Sequence, residues 1–334
     1  MTIDLALVWA ALIAFAVLAY VVLDGFDLGV GMLFPFMRGD EEKSLAMNTV
    51  APVWDGNETW LVLGGGGLFA VFPLAYAVIM PALYVPIIVM LLALVLRGVA
   101  FEFRWRTQRG RWVWNLSFCA GSLLATLAQG VALGALVQGI AVENRAYAGG
   151  HWDWLSGFSL LTGVALVCGY SLLGATWLLM KTEGAVRERA RRLAWLSGAL
   201  TLLLIGVVSL LTPLLNPQYL ARWFSLPGAL FSIWVPALML VAVLVFVQGM
   251  RRGRDAWPFG AALSVFVLSF VGLCISLFPY MVPPALTLWE TAGPDDSLWF
   301  LLAGALVLLP LILAYTGYAY WVFRGKIDPQ GGYH

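Results

Sequence analysis

The chain has 334 residues, of which 62% are hydrophobic and only 11% are charged, and its formal net charge is +1. A soluble globular protein carries about 25% charged residues, so this composition excludes that class and indicates a polytopic α-helical membrane protein. The near-neutral charge and the lack of a basic tail give no indication of nucleic-acid binding.

Nine apolar stretches of about 20 residues or more follow one another, separated by short polar loops. We therefore predict an all-α membrane protein with about nine transmembrane helices. Short loops favour antiparallel neighbours, and the count fits two four-helix bundles, 1–140 with the acidic motifs and 141–281, followed by a ninth helix and cytoplasmic tail at 282–334. The stretches are 5–37, 48–72, 74–103, 112–140, 154–180, 193–213, 227–250, 258–281 and 297–323.

Basic residues are distributed unevenly between the loops. Of the 19 lysines and arginines, 16 lie in the C-terminal tail and in the loops that follow odd-numbered stretches, whereas two lie in the other loops and Arg97 lies inside a stretch. Because cytoplasmic loops are enriched in Lys and Arg, we expect the N-terminus outside and the C-terminus in the cytoplasm.

Four acidic residues lie inside otherwise apolar stretches: Asp24 and Asp27 in the first, and Asp55 and Glu58 in the second. An aspartate at the centre of a membrane helix costs about 2.5–3.5 kcal/mol. Each pair is three residues apart, so its members share one helix face. Such residues are expected to have a charged partner, a role in moving ions or protons, or both.

The four acids and Arg97 lie at overlapping depths. At 1.5 Å per residue, Asp27 is about 16 Å and Asp24 about 21 Å from the cytoplasmic end of the first stretch, and Asp55, Glu58 and Arg97 are about 10, 15 and 10 Å from the cytoplasmic ends of theirs. The three stretches are consecutive and are expected to be neighbours. We therefore predict one cluster in the cytoplasmic half of the membrane.

Two interpretations of this cluster compete. In the favoured one, the carboxyls form a proton relay fed from the cytoplasm, with Trp54 and Asn57 as supporting residues. In the other, Arg97 forms a buried ion pair with Asp55 or Asp27 and the remaining carboxyls stay neutral. No histidine or cysteine lies beside the acids, so we expect no metal site, and Na⁺ is the only ionic rival of the proton.

Histidine is scarce: His151 lies in a loop and His334 is the last residue. Because haem in membrane helices is most often held by histidine, we expect no haem bound by ligands of this chain, although ligation by one of its 10 methionines stays open.

The acidic motifs are LDGFDLGVG at 23–31 and APVWDGNETWL at 51–61, and with them the chain resembles subunit II of the cytochrome bd-type quinol oxidases, most closely the cyanide-insensitive branch. Further matching segments are RGVAFEFR at 97–104, LGALVQG at 133–139, GATWLLMKTEG at 174–184 and FPYMVPPALTLWE at 278–290. The resemblance covers nearly the whole chain.

This resemblance implies a multi-pass subunit of the bacterial cytoplasmic (inner) membrane that forms a heterodimer with a haem-carrying subunit I. The partner is expected to hold two haem b and one haem d, and the pair to oxidise quinol and reduce dioxygen. The resemblance places Asp55 on a cytoplasmic proton route and Asp24 near it, whereas Glu58 stands where some relatives carry glutamine. A structural quinone, lipid and small single-span accessory subunits are further candidate partners.

Two other functions stay open at this point. The chain could be a stand-alone secondary transporter coupled to H⁺ or Na⁺, in which the acids bind the coupling ion. Alternatively, it could be a purely structural subunit in which the acids only brace Arg97.

Overall fold

Helices account for most of the chain in the computed structural model, which describes residues 4–226 and 228–327. Two short antiparallel hairpins pair β1 (Val142–Glu143) with β2 (Ala146–Tyr147) and β3 (Tyr280–Val282) with β4 (Leu286–Thr287). The helices are α1 (Leu5–Leu33), continued by a 3₁₀ turn (Phe34–Phe36), α2 (Gly39–Asn48), α3 (Trp54–Val71), α4 (Pro73–Ala82), α5 (Tyr84–Arg106), α6 (Arg111–Gln138), α7 (Gly157–Lys181), α8 (Gly184–Leu215), α9 (Pro217–Phe224), α10 (Gly228–Ser232), α11 (Trp234–Arg252), α12 (Ala256–Leu277), α13 (Leu288–Thr291) and α14 (Asp295–Val322).

Polar side chains at the ends of the apolar stretches set several helix boundaries. The Asp4 side chain accepts a hydrogen bond from the Leu7 backbone at the start of α1. Ser156 forms a capping box with Ser159 at the start of α7. Each cap satisfies backbone groups that the first turn of a helix leaves without partners.

Within the described residues, eight helices are long and apolar enough to cross a membrane, and the bent pair α3 and α4 raises the number to nine if it is counted as one span. The prediction of an all-α membrane protein with about nine transmembrane helices is therefore confirmed. The axes of α3 and α4 differ by 120° at Phe72. The predicted third stretch is divided at Leu83, between Pro81 and Pro86, which disturb regular helix on both sides of the break.

Close packing around α1 positions the acidic residues. Helix α1 contacts α3, α6, α7, α12 and α14. A Cβ atom added at Gly29 would lie 1.9 Å from the Tyr170 carbonyl oxygen, and one added at Gly174 would lie 2.3 Å from the Gly29 carbonyl carbon. The backbones of α1 and α7 can approach this closely only because glycine occupies both positions.

The helices of the first predicted bundle contact one another, since α5 packs on α6 and α1 packs on α3 and α6. In the second, α7 packs on α8 and α12, and α11 packs on α12. Helix α7 also packs against both α6 and α1, across the predicted boundary at residue 140. The division into two bundles and a final unit, and the orientation of the chain in the membrane, stay predictions.

Candidate buried charge cluster

Arg97 of α5 is fully buried and lies between two carboxylates from different helices. Its Nη1 atom is 2.7 Å from Asp24 Oδ1 on α1, and its Nη2 atom forms an ion pair with Glu58 Oε1 on α3. One guanidinium thus links three helices. The expectation that Arg97 pairs with Asp55 or Asp27 was wrong, because the register of α3 turns Glu58 rather than Asp55 towards α5.

Asp27 is buried, with 1% of its surface exposed, and forms no ion pair with any described residue. Its Oδ2 atom accepts a hydrogen bond of 2.7 Å from Asn57 Nδ2, whereas Oδ1 has no hydrogen-bond partner in the described part of the chain. Asn57 Oδ1 in turn accepts a hydrogen bond of 3.0 Å from the Tyr320 hydroxyl. Through these two hydrogen bonds, Asn57 joins α1, α3 and α14.

Exposure of the carboxyls decreases from α3 towards α1. Asp55, in the first turn of α3, is exposed and forms no ion pair among residues 4–226 and 228–327. The Glu58 side chain is 26% exposed, and Asp24 is fully buried. The cluster therefore opens to the outside of this chain along α3, with Asp55 as its outermost acid.

Trp54 fixes the start of α3 against α5. Its ring stacks on Phe101 with a centroid distance of 4.8 Å and an interplanar angle of 3°. The edge of the Trp54 ring also packs near Gly98, where an added Cβ atom would lie 3.5 Å from it, at ordinary van der Waals distance. Trp54 thus packs the first turn of α3 against α5, and it stands next to Asp55 in the chain.

Sequence reasoning missed three tyrosines around the acids. The Gln129 side chain on α6 donates a hydrogen bond of 2.5 Å to the Tyr20 hydroxyl and accepts one of 3.1 Å from the Tyr170 hydroxyl. Tyr20 precedes Asp24 by four residues, so the two share a helix face, and this spacing could have predicted that Tyr20 lies near the acids. Tyr170 and Tyr320 come from distant parts of the chain, and no local pattern points to them.

The charges of the cluster do not balance if every carboxyl is ionised. Arg97 is the single cation that forms ion pairs with the described acids of the cluster, and it faces Asp24 and Glu58 while Asp27 lies beside them. An unpaired carboxylate in a low-dielectric interior is costly. The cluster is therefore suited to holding a proton.

No group of three or more His, Cys, Asp or Glu residues in the described ranges is arranged to hold a metal ion. The Arg97 guanidinium lies between Asp24 and Glu58, at the position where a cation would contact both carboxylates. His151 is exposed in a turn between α6 and α7, and His334 lies outside the described residues.

Comparison with known proteins shows strong similarity to one family. The family model described as cytochrome bd terminal oxidase subunit II matches residues 5–323. The chain is 31% identical to cytochrome bd-I ubiquinol oxidase subunit 2 of Escherichia coli K12, over 98% of this chain and 96% of the relative. It is 30% identical to cytochrome bd ubiquinol oxidase subunit 2 of Bacillus subtilis 168, over 96% of each.

The fold is also similar to that of a solved structure. A chain of the bd oxidase from Geobacillus thermodenitrificans superimposes with a TM-score of 0.77, covering 96% of this chain and 99% of that one. Because the sequence identity is 19%, this match shows similarity of the fold alone.

Proposed function

Because the chain belongs to the cytochrome bd terminal oxidase subunit II family, we propose that it is the non-haem subunit of a quinol:oxygen oxidoreductase in the bacterial inner membrane. In this role it stabilises a haem-carrying subunit I and helps to carry cytoplasmic protons towards the site of oxygen reduction. The observation that carries the proposal is the buried cluster of Asp24, Asp27, Glu58 and Arg97, which opens outward at Asp55.

His151, the one histidine among the described residues, is exposed in a turn and lies in no spanning helix, so it does not fit the role of a haem ligand inside the membrane. The proposal therefore assigns the two haem b and one haem d to the partner, and no electron-transfer step is assigned to this chain. Its own contribution is to pack against the partner and to hold protons at defined carboxyl oxygens.

The exposure of Asp55 supports contact with subunit I along α3. A carboxylate that faces hydrocarbon costs several kcal/mol, and Asp55 has no ion-pair partner in the described part of this chain. A polar surface of subunit I that covers α3 would remove this cost. A proton held by Asp55 would then lie at the boundary between the two subunits.

Proton uptake from the cytoplasm stores energy without a pump. Moving one elementary charge across the membrane potential is worth about 2.3 kcal/mol per 100 mV. When protons for oxygen reduction are taken from the cytoplasm and quinol protons are released outside, each electron transferred adds to that potential. A row of carboxyls that reaches from the chain surface at Asp55 to the interior supplies sites for the incoming proton.

Replacement of Asp55 by Asn tests the relay. In the assembled complex, Asp55→Asn is expected to lower quinol-oxidase turnover about a hundredfold, the lower end of the range for loss of a proton-transferring side chain, and to slow proton uptake by proteoliposomes in parallel. The matched control is Asp40→Asn, which removes an exposed aspartate of α2 that pairs with Arg111 at 3.4 Å, away from the cluster. Unchanged turnover and unchanged proton uptake in assembled Asp55→Asn complex would contradict the relay.

A purely structural role is the second candidate, and the Arg97 bridge favours it. Arg97 ties α5 to α1 and α3 through two ion pairs, as a brace would. If the role is purely structural, Asp55→Asn leaves the oxidase rate unaltered, whereas Arg97→Leu impairs assembly of the complex. The same measurements therefore separate the two candidates.

A further inference from the structure

The Asn57 side chain lies at the centre of a buried hydrogen-bond network. Its Nδ2 atom donates to Asp27 Oδ2 at 2.7 Å and to the Leu23 carbonyl oxygen at 3.3 Å, both on α1. Its Oδ1 atom accepts from the Tyr320 hydroxyl of α14 at 3.0 Å. Asn57 is only 1% exposed, so bulk water does not replace these partners. The NH₂ group and the carbonyl oxygen of the amide are thus both engaged.

These partners determine which way the Asn57 amide points. A backbone carbonyl only accepts hydrogen bonds, whereas a tyrosine hydroxyl has a proton to donate. The Leu23 carbonyl therefore favours the NH₂ group on the side of α1, and the Tyr320 hydroxyl satisfies the amide oxygen on the side of α14. In the reversed orientation, the amide oxygen would face the Leu23 carbonyl, acceptor against acceptor. Asn57 is therefore a donor towards Asp27.

The donor character of Asn57 limits where Asp27 can hold a proton. An amide NH₂ group does not accept, so Asp27 Oδ2 is the accepting oxygen. A proton on this carboxyl then belongs on Oδ1, which is buried and has no hydrogen-bond partner among the described residues. Asp27 forms no ion pair in that part of the chain, so no cation in direct contact holds it ionised.

Tyr320 has more influence on the amide than Leu23 has. The Leu23 carbonyl lies inside α1, where a helix carbonyl accepts from the N–H group four residues later, so it has a partner without Asn57. The Asn57 oxygen is buried and accepts from the Tyr320 hydroxyl, and without that donor it would be left unsatisfied. A reversed amide would then satisfy its oxygen by accepting the proton of Asp27.

The position of Tyr320 is itself fixed from two sides. Its ring lies edge-on to Phe26 of α1 and Trp177 of α7, with a centroid distance of 6.4 Å in both pairs. Just past the end of α14, the Phe323 carbonyl oxygen accepts a hydrogen bond of 2.7 Å from Lys181 Nζ at the end of α7. The aromatic contacts and this anchor hold the Tyr320 hydroxyl towards Asn57.

We infer that Tyr320 is a positioning residue, which keeps the Asn57 amide as a donor to Asp27 Oδ2 and so confines an exchangeable proton of Asp27 to Oδ1. Tyr320 acts through Asn57, to which its hydroxyl donates. This inference rests on the proposed function, because it assigns one oxygen of one acid in the cluster as a proton site. It also gives a part in the cluster to α14, of whose residues Leu298 and Leu302 alone are buried.

The test is an infrared measurement on the purified two-subunit complex, read from the carbonyl stretch of protonated carboxyl groups. The pH is lowered until the Asp27 contribution appears, and this contribution is the part of the band that disappears when Asp27→Asn is added to each variant. Asn57→Leu, which keeps the shape of the side chain, should move the contribution to higher frequency, because a hydrogen bond to a carboxyl carbonyl weakens its C=O bond.

Tyr320→Phe keeps the ring and removes the hydroxyl. It should move the Asp27 contribution in the same direction but by less, because hydrogen bonds in a chain polarise one another and the Asn57 N–H group becomes a weaker donor. Adding Tyr320→Phe to Asn57→Leu should give no further shift, since the effect of Tyr320 passes through Asn57.

Tyr318→Phe is the matched control. Tyr318 is exposed on the same helix, where its ring lies against Trp321, outside the cluster. All these variants leave the charged groups beside Asp27 in place, which are Asp24, Glu58 and Arg97. We expect no shift in Tyr318→Phe, and a shift equal to that of Tyr320→Phe would assign the effect to movement of α14 and overturn the inference.

Three further results would overturn it. They are an unshifted Asp27 contribution in Tyr320→Phe, a further shift in the double variant, and the absence of an Asp27 contribution at every pH at which the complex stays folded. If Asn57→Leu does not assemble, the comparison of Tyr320→Phe with Tyr318→Phe decides the question by itself.

The infrared band and proton uptake fail independently. If the Asp27 contribution does not shift but Asp55→Asn still slows proton uptake, the positioning role is wrong and the proposed function stands. If the contribution shifts and Asp55→Asn leaves uptake unchanged, the relay is wrong and Tyr320 still positions Asn57.

Discussion

At the scale of single residues, burial separates acids that look alike in the sequence. Asp24 and Asp27 share the face of α1 that packs on its neighbours, but Asp24 contacts Arg97 at 2.7 Å whereas Asp27 contacts the amide of Asn57. A buried charge is tolerated when it is paired and hydrogen-bonded. The two aspartates therefore have different polar partners despite their spacing of three residues.

Arg97→Leu is expected to destabilise the complex by about 3–5 kcal/mol, because it leaves buried carboxylates without their cation. Thermal unfolding of the purified complex and the yield of assembled heterodimer measure this loss. Arg106→Leu is the control, since Arg106 is exposed and lies 4.0 Å from Glu102, and exposed pairs contribute little. Equal stability of the Arg97 and Arg106 variants would contradict the role assigned to the bridge.

At the scale of helices, glycine determines which elements touch the acidic face. Gly25, Gly29 and Gly31 of α1 face Tyr170, the backbone of α7 at Gly174, and Ser122 of α6. This approach lets Tyr170 of α7 donate a hydrogen bond to Gln129 of α6, which in turn donates to Tyr20, four residues before Asp24. A wider separation of α1 and α7 would break the hydrogen bonds that connect Tyr20 to Tyr170 through Gln129 of α6.

Gly29→Ala is expected to weaken the packing of α1 on α7, because its Cβ would lie 1.9 Å from the Tyr170 carbonyl oxygen, a backbone atom that cannot move aside. Overpacking of this kind costs about 1–3 kcal/mol, so the thermal midpoint of the complex should fall. Gly206→Ala on α8 is the control, because no atom lies within 4 Å of the added Cβ. A midpoint for Gly29→Ala as high as that of Gly206→Ala would argue against the close helix contact.

At the scale of the whole molecule, a charged cluster joins segments that are far apart in the chain. Arg187 of α8 donates to both carboxylate oxygens of Asp255, at 2.9 and 2.8 Å, and Lys326 lies 3.4 Å from Asp255. Burial alone would raise the pKa of Asp255, but the hydrogen bonds and charge of Arg187, with Lys326, outweigh it and lower that pKa from its ordinary value of 3.8.

A group whose pKa is lowered by folding adds stability that is complete above the unfolded pKa and is lost as the pH falls through the folded one. Asp255→Asn should therefore lower the unfolding temperature at neutral pH, and the difference from the unmodified chain should vanish as the pH falls well below about 4. Thermal unfolding from pH 7 to acid measures this dependence. A difference that is independent of pH would show that the charge of Asp255 does not contribute.

The orientation of the molecule in the membrane follows from the basic loops and can be measured directly. Glu41 on α2 and Glu143 in the β1–β2 hairpin are both exposed, and the positive-inside rule puts them on opposite sides. In spheroplasts, a membrane-impermeant maleimide should label E143C and leave E41C unlabelled until the cells are opened. The unmodified chain controls for Cys119, Cys168 and Cys274, and the reverse pattern would invert the predicted topology.

The sequence by itself determined the class of the protein, the approximate number of helices, the family and which charged residues lie inside apolar stretches. These features follow from local properties of the sequence. Runs of apolar residues must cross the bilayer as helices, and acidic residues inside such runs can be identified directly from the sequence. Asp24, Asp27, Asp55, Glu58 and Arg97 were expected in one cluster. Arg97 contacts Asp24 and Glu58, and Asp27 bonds Asn57 of the same helix as Glu58, whereas Asp55 is exposed and forms no ion pair in the described part of the chain.

Only the tertiary structure decided which acid meets Arg97, which acid is exposed and which tyrosines complete the cluster. Which carboxyls pair with Arg97 depends on the rotation of α3 about its own axis and on how closely glycine lets α1 approach α7. Neither can be predicted from the spacing of polar residues in the sequence. At 3.6 residues per turn, positions 55 and 58 point about 60° apart around the helix axis, so a rotation of about that size decides which carboxyl faces α5. For this reason Glu58 and Asp24, rather than Asp55 and Asp27, hold the guanidinium.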